Sequence, residues 1–156
     1  MNSAPSAITQ RLAELGIELP AVVAPLASYQ PAVQSGQYVY TSGQLPMVEG
    51  QLPATGKVGA EVLPEDAAHY ARLCALNALA AIDALVGIDS VVRVVKVVGF
   101  VASAPDFTGQ PAVINGASDL LGEVFGEAGA HARSAVGVAV LPRDAPVEVE
   151  LIVEVR

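Results

Sequence analysis

Three stretches near the C-terminal end form the most informative segment of the sequence. They are Ala132-Arg133-Ser134, Leu141-Pro142-Arg143-Asp144 and Val147-Glu148-Val149-Glu150. An arginine offers a planar fork of N–H donors that matches a carboxylate. A glutamate nearby can hold or activate a water. Arg133 opens one expected strand and Glu148 lies on the next, so antiparallel pairing would bring them into one neighbourhood. Taken by themselves, the two are more simply read as an ordinary cross-strand ion pair at a sheet edge, because structural ion pairs resemble sites. Glu148, Glu150 and Glu154 share one strand face, and Glu150 and Glu154 are read as solvated.

Other reactive residue types are sparse. Cys74 is the only cysteine, which excludes an internal disulfide or a cysteine-based zinc site; its apolar helical face makes it a small core hydrophobe. His69 falls on a polar helix face. His131, next to Arg133, is read either as a surface-loop residue or as part of a cleft rim. Two histidines and scattered acids do not make metal-ligand spacing, so no metal is expected. Gly56-Lys57-Val58-Gly59 lacks the order of a phosphate loop and is read as a turn.

Composition narrows the partners. Eight basic against sixteen acidic residues give a formal net charge of −8. The basic residues are scattered, there is no tryptophan and the seven Phe/Tyr form no motif, so nucleic acid is not an expected partner. The most apolar stretch, Val91–Ala102, is broken by Arg93 and Lys96 and is too short to span a bilayer. The start of the chain lacks the pattern of a signal peptide, and a cytoplasmic location is expected. With 53% hydrophobic residues, 27 Ala and 24 Val among them, the chain reads as one folded domain.

These residues need elements to hold them. Ile8, Leu12 and Leu15 predict a helix over residues 5–16, within a helical extension at 1–20 that precedes a single domain at 21–156. Pro20–Pro31 reads as a loop and Gln37–Leu45 as a strand, with Tyr38 and Tyr40 packed in the sheet. Residues Pro46–Gly59 read as a hairpin or long loop. A long helix is expected over Glu65–Val86, preceded by Pro64 and stopped by Gly87. Its buried face holds Ala71, Cys74, Ala75, Ala78, Leu79, Ile82 and Leu85. A strand over Val91–Ala102, a helix over Ala112–Phe125 and strands over Ser134–Leu141 and Val147–Val155 complete the order. Right-handed crossovers then put two main helices on one face of a single mixed sheet, an α+β fold. Both faces of Val91–Ala102 are largely apolar, as in a strand covered on both sides, and no helices remain for the second side. A homo-oligomer is expected.

At this point the residues carry a resemblance. Ser42-Gly43-Gln44-Leu45-Pro46, the Ala-rich helix with Asn77, Val113-Ile114-Asn115, and Ala132-Arg133-Ser134 through Glu148-Val149-Glu150 resemble the RidA/YjgF family over roughly residues 24–156. Its members are imine/enamine deaminases, also labelled endoribonuclease L-PSP or translation inhibitors. The resemblance implies a chorismate-mutase-like fold, a homotrimer with clefts between subunits, and hydrolysis of 2-imino acids to 2-keto acids without a cofactor. It assigns Arg133 to the substrate carboxylate and Glu148 to the hydrolytic water. Tyr29, Asn115 and Gly43 are implied as residues lining the cleft. Gly116-Ala117-Ser118-Asp119 and Ala135 depart from the family pattern and are expected to change pocket volume. Two rival functions follow: a trimer that binds a small carboxylate without turnover, and the ribonuclease of the family label, which suits the charge poorly.

Overall fold

The computed structural model describes residues 7–25 and 27–156. Residues 5 and 6 of the expected first helix, and position 26 of the expected loop, lie outside the described residues. Helix α1 runs Ala7–Glu14. Its Leu12 is buried, and Ile8 and Leu15 pack against the same core. The first amides of a helix have no partner within it; here Asp89, far along the chain, accepts from Ile8 N at 3.1 Å and Thr9 N at 2.9 Å. Arg11 Nε donates to Glu123 O at 2.9 Å. A charged cap and a cross-chain bond thus tie the first helix to the body of the fold.

The expected strand at Gln37–Leu45 is instead the second arm of a hairpin. Strand β1 (Ala32–Ser35) pairs antiparallel with β2 (Tyr38–Thr41), and Ser35 opposite Tyr38 closes a two-residue turn. Gly36 takes φ +60° there, the left-handed backbone such turns demand. After Thr41 the chain leaves the sheet and touches it again at Gln44, opposite Val149, and at Val58, whose N donates to Ala102 O at 2.7 Å. The expected loop after Pro46 is pinned on itself by a Val48–Gln51 bridge.

Helix α2 spans Pro64–Val86, with Pro64 inside its first turn and Gly87 N bonded to Asp83 O at 2.9 Å. Leu85, expected in the core, is exposed. Asp83 and Ala84 are exposed beside it. Strand β3 (Val91–Ala102), helix α3 (Gln110–Phe125), strand β4 (Ala132–Val138) and strand β5 (Val147–Val155) follow.

The five strands form one sheet in the order β1-β2-β5-β3-β4, with β3 and β4 parallel and every other pair antiparallel. Helices α2 and α3 pack on each other and on one face, over Val39, Val94, Val97, Val101, Val149, Leu151 and Val153. The opposite face presents Tyr38, Tyr40, Phe100, Val136 and Ile152 between charged residues. Tyr38 and Tyr40, expected to be packed in the sheet, are 43% and 45% exposed on it, since strand alternation sends only Val39 between them to the core. Among the described residues no helix is long and apolar enough to cross a membrane.

Candidate active site

Arg133 and Glu148 do not meet within one chain. Strand β3 lies between β4 and β5, so the antiparallel pairing expected of those two strands does not form. The β3–α3–β4 unit makes a parallel crossover, which places β4 at the sheet edge, and β5 enters between β3 and β2. Register then sets the faces. Arg133 is level with Val97, a buried residue under the helices, whereas Glu148 is level with Phe100 on the open face. The two side chains project from opposite sides of the sheet.

Arg133 is held by α3. Its Nη1 donates to Asn115 Oδ1 at 2.7 Å and to Ser118 Oγ at 3.2 Å, and its Nη2 donates to Pro111 O at 3.3 Å. Asn115 and Ser118 reach it together because residues three apart on a helix share a face. Three of the five guanidinium N–H donors are thereby engaged, and the Nε–H and one Nη2–H are left for a ligand. His131 joins the same cluster. Its Nε2 lies 2.9 Å from Ser118 Oγ and its Nδ1 lies 2.6 Å from Gly129 O. A carbonyl only accepts, so Nδ1–H donates to Gly129 O, and Nε2 shares a hydrogen bond with the Ser118 hydroxyl, which also accepts from Arg133. His131 is therefore part of the arginine cluster rather than a bystander in a loop.

The departures from the family pattern sort differently from their expected effect on a pocket. Gly116 sits against the α2 backbone: a Cβ there would stand 2.7 Å from the carbonyl carbon of Ala68. Ala117 is buried in the core. Ser118 alone of the first three turns to Arg133. Ala135, two residues after Arg133, packs on the main core.

Glu148 is placed by a second set of contacts. Gln44 N donates to Val149 O at 2.8 Å and Val149 N to Gln44 O at 3.0 Å, which clamps Gly43 beside Glu148. Asn77, buried on α2, donates through Nδ2 to Leu45 O at 3.0 Å and Met47 O at 3.1 Å, fixing the chain just beyond. A Cβ on Gly43 would overlap Glu148 Oε1 and stand 2.8 Å from Cδ and 3.1 Å from Cγ. Only glycine leaves the carboxyl in that position. Burial first, and the neighbouring Glu150 charge second, push the Glu148 carboxyl above the ordinary glutamate range. No cation pairs with it among the described residues. Glu150 and Glu154, expected to be solvated, are half-buried on the same face.

Tyr29 stands on the same side as Gly43. Both line a recess with Pro31, Gln44, Met47 and Arg143, and Ser42 links the two segments through Ser42 N to Pro31 O at 2.8 Å. The five expected site residues thus form two half-sites: Arg133 with Asn115, and Glu148 with Gly43 and Tyr29. Ser118 and Arg143 were not among the expected site residues. A serine three residues after Asn115 on one helix was a readable signal for the first, and the Pro-Arg-Asp turn for the second. Cys74 is buried beneath this region with its Sγ 3.9 Å from Val147 O, and burial first and the Glu148 charge second raise its thiol well above the usual range, as suits a packing residue. Among the described residues, no three His, Cys, Asp or Glu side chains converge as a metal site.

Comparison with known proteins identifies the family and the fold. A family model described as "YjgF/chorismate_mutase-like, putative endoribonuclease" matches residues 9–155, beginning within α1. The chain is 46% identical over 151 residues to protein TCP17 of Trypanosoma cruzi, covering 96% of this chain and 94% of that one. A crystal structure of an Agrobacterium tumefaciens protein of unknown function is 47% identical, with a TM-score of 0.88 over 96% of this chain and 93% of that one. The structure of E. coli TdcF with bound serine is 28% identical, with a TM-score of 0.60 over 88% and 92% of the two chains. By sequence, by the single five-stranded sheet and by the two helices upon it, this chain belongs to the RidA/YjgF family, with its chorismate-mutase-like fold.

Proposed function

We propose that the protein hydrolyses 2-imino or enamine acids to 2-keto acids and ammonia, in clefts between the subunits of a homotrimer. Glu148 carries this reading. A carboxyl whose proton affinity is raised by burial and by Glu150, with Gly43 against it and no cation paired to it among the described residues, suits proton transfer. A carboxylate kept for stability would be expected to have a cationic partner.

The substrate carboxylate docks on the free Nε–H and Nη2–H of Arg133. A protonated imine is already electrophilic, so the reaction as proposed calls for no cofactor. Ionised Glu148 takes a proton as water oxygen bonds to the imine carbon. It then returns that proton to nitrogen; as the C–N bond breaks, Glu148 takes the hydroxyl proton and passes it to the departing ammonia, leaving a 2-keto acid and ammonium. Since Arg133 and Glu148 face opposite sides of their own sheet, one active site draws Arg133 from one copy and Glu148 from another. The apolar open face around Tyr40, Phe100 and Ile152 supports such an assembly.

TdcF, named with bound serine, is a relative holding an amino acid and is consistent with a carboxylate clamp. It equally fits the second reading, a trimer that binds small carboxylates without turnover. The endoribonuclease description of the family is the third, and a net charge of −8 with scattered basic residues disfavours it.

The test follows decay of 2-aminoacrylate generated in situ from serine by a coupled dehydratase. Wild type is expected to accelerate decay, with Arg133→Ala and Glu148→Gln at the uncatalysed rate. Wild type no faster than Arg133→Ala rejects the deaminase, and 2-ketobutyrate binding without acceleration selects the binding protein. RNA cleavage lost in Glu148→Gln would select the nuclease.

A further inference from the structure

The recess beside the Glu148 half-site contains a second arginine. Arg143 lines it with Tyr29, Gly43, Gln44 and Met47 over an interior of about 30 Å³. A single water needs roughly 10–15 Å³, so the space suits one small polar group and not a whole substrate. Gly43 is shared: it walls the recess and abuts the Glu148 carboxyl.

Arg143 is exposed, is held on a costly backbone and has no carboxylate partner among the described residues. Its backbone takes φ 59°, ψ 21°, and Asp144 after it also has φ 59°. Residues with a Cβ seldom adopt the left-handed region, still less two in succession. The turn is locked by Asp144 N to Leu141 O at 3.1 Å and by Gly56 N to Asp144 O at 2.9 Å. The guanidinium reaches Met47 Sδ at 3.8 Å, a weak acceptor. Among the described residues no carboxylate pairs with it, although acids outnumber bases two to one. Backbone of this kind concentrates at ligand clamps.

We infer that this recess is a second anion subsite, in which Arg143 receives a carboxylate at the far end of the substrate. The preferred substrates are then imines of dicarboxylic 2-keto acids. The inference rests on the deaminase reading: Arg133 holds the carboxylate next to the imine, Glu148 works at the imine carbon, and Arg143 selects the chain beyond Gly43.

The experiment measures binding of 2-oxoglutarate and 2-ketobutyrate by calorimetry to the assembled wild-type protein, to Arg143→Asn and to Arg133→Ala. Asparagine tolerates the left-handed backbone, which protects the turn in the variant. Wild type is expected to prefer 2-oxoglutarate at least tenfold, and Arg143→Asn to bring the two within about twofold of each other. A wild-type ratio near one, or a ratio unchanged in Arg143→Asn, overturns the subsite. If both ligands bind equally well to Arg133→Ala, the carboxylate clamp itself is wrong and the deaminase reading fails separately.

Discussion

Replacing Gly43 with alanine tests the Glu148 half-site through a single methyl group. The new Cβ would stand 2.8 Å from Glu148 Cδ, whereas carbon atoms rest about 3.5–4.0 Å apart. The carboxyl must therefore retreat by about 1 Å. A displacement of that size at a reacting group costs on the order of 100-fold in rate, equivalent to about 2.7 kcal/mol. Folding should suffer much less, because Gly43 does not occupy the left-handed region and the obstructing group is the movable end of a side chain. An off-rotamer glutamate costs about 0.5–1.5 kcal/mol, which lowers Tm by about 1–6 °C in a chain of this size. The assay is kcat/KM for in situ imine, with Tm by differential scanning calorimetry, for Gly43→Ala, Glu148→Gln and the double variant. Residues acting as a unit lose activity non-additively, so the double variant should be no slower than Glu148→Gln, which already sits at the uncatalysed rate. Full activity in Gly43→Ala would refute the claim that Gly43 acts by placing Glu148.

The Glu148 carboxyl also links stability to pH. Its raised folded value means the native chain binds the proton more tightly than the unfolded chain, so stability falls as pH rises from the ordinary glutamate value through the folded one. Glu148→Gln should accordingly raise Tm at pH 7.5 while abolishing turnover, and the gain should vanish toward pH 4; a lower Tm at pH 7.5 would count against a buried, unpaired charge. Glu150→Gln removes a like charge, so the acidic limb of the pH–rate profile should move to lower pH. Ser118→Ala takes one acceptor from Arg133 and the hydroxyl from His131; about 1 kcal/mol is at stake, read as a roughly fivefold weaker binding of 2-ketobutyrate. Gly116→Ala drives a Cβ into the Ala68 backbone, and overpacking of about 1–3 kcal/mol should lower Tm with the pH–rate profile unchanged in shape.

Much of the architecture could be read along the chain because it depends on local spacing. The apolar rhythm of α2, Pro64 at its start and Gly87 at its end come from interactions within a few residues, and the strands Val91–Ala102 and Val147–Val155 carry dense β-branched runs. Even the open apolar face was legible in β3, as a second row of valines with no helices left to cover it. The hairpin β1–β2 was not, since Ala32–Ser35 has only its Val33 and one buried alanine to mark it as a strand.

The site divides along the same line. Residue type was enough to single out Arg133 and Glu148 as chemically apt, because a guanidinium fork and a carboxyl have those properties in any fold; Asn115, Gly43 and Tyr29 entered only through the family resemblance. Their grouping was decided only by the tertiary structure. Strand order is a long-range choice: inserting β5 between β2 and β3 separates β4 from β5, and alternation then sends Arg133 toward α3 and Glu148 to the open face. The segment from Arg133 to Glu148 carries no local signal for that separation, because the strand that parts them in the sheet, Val91–Ala102, precedes both in the chain.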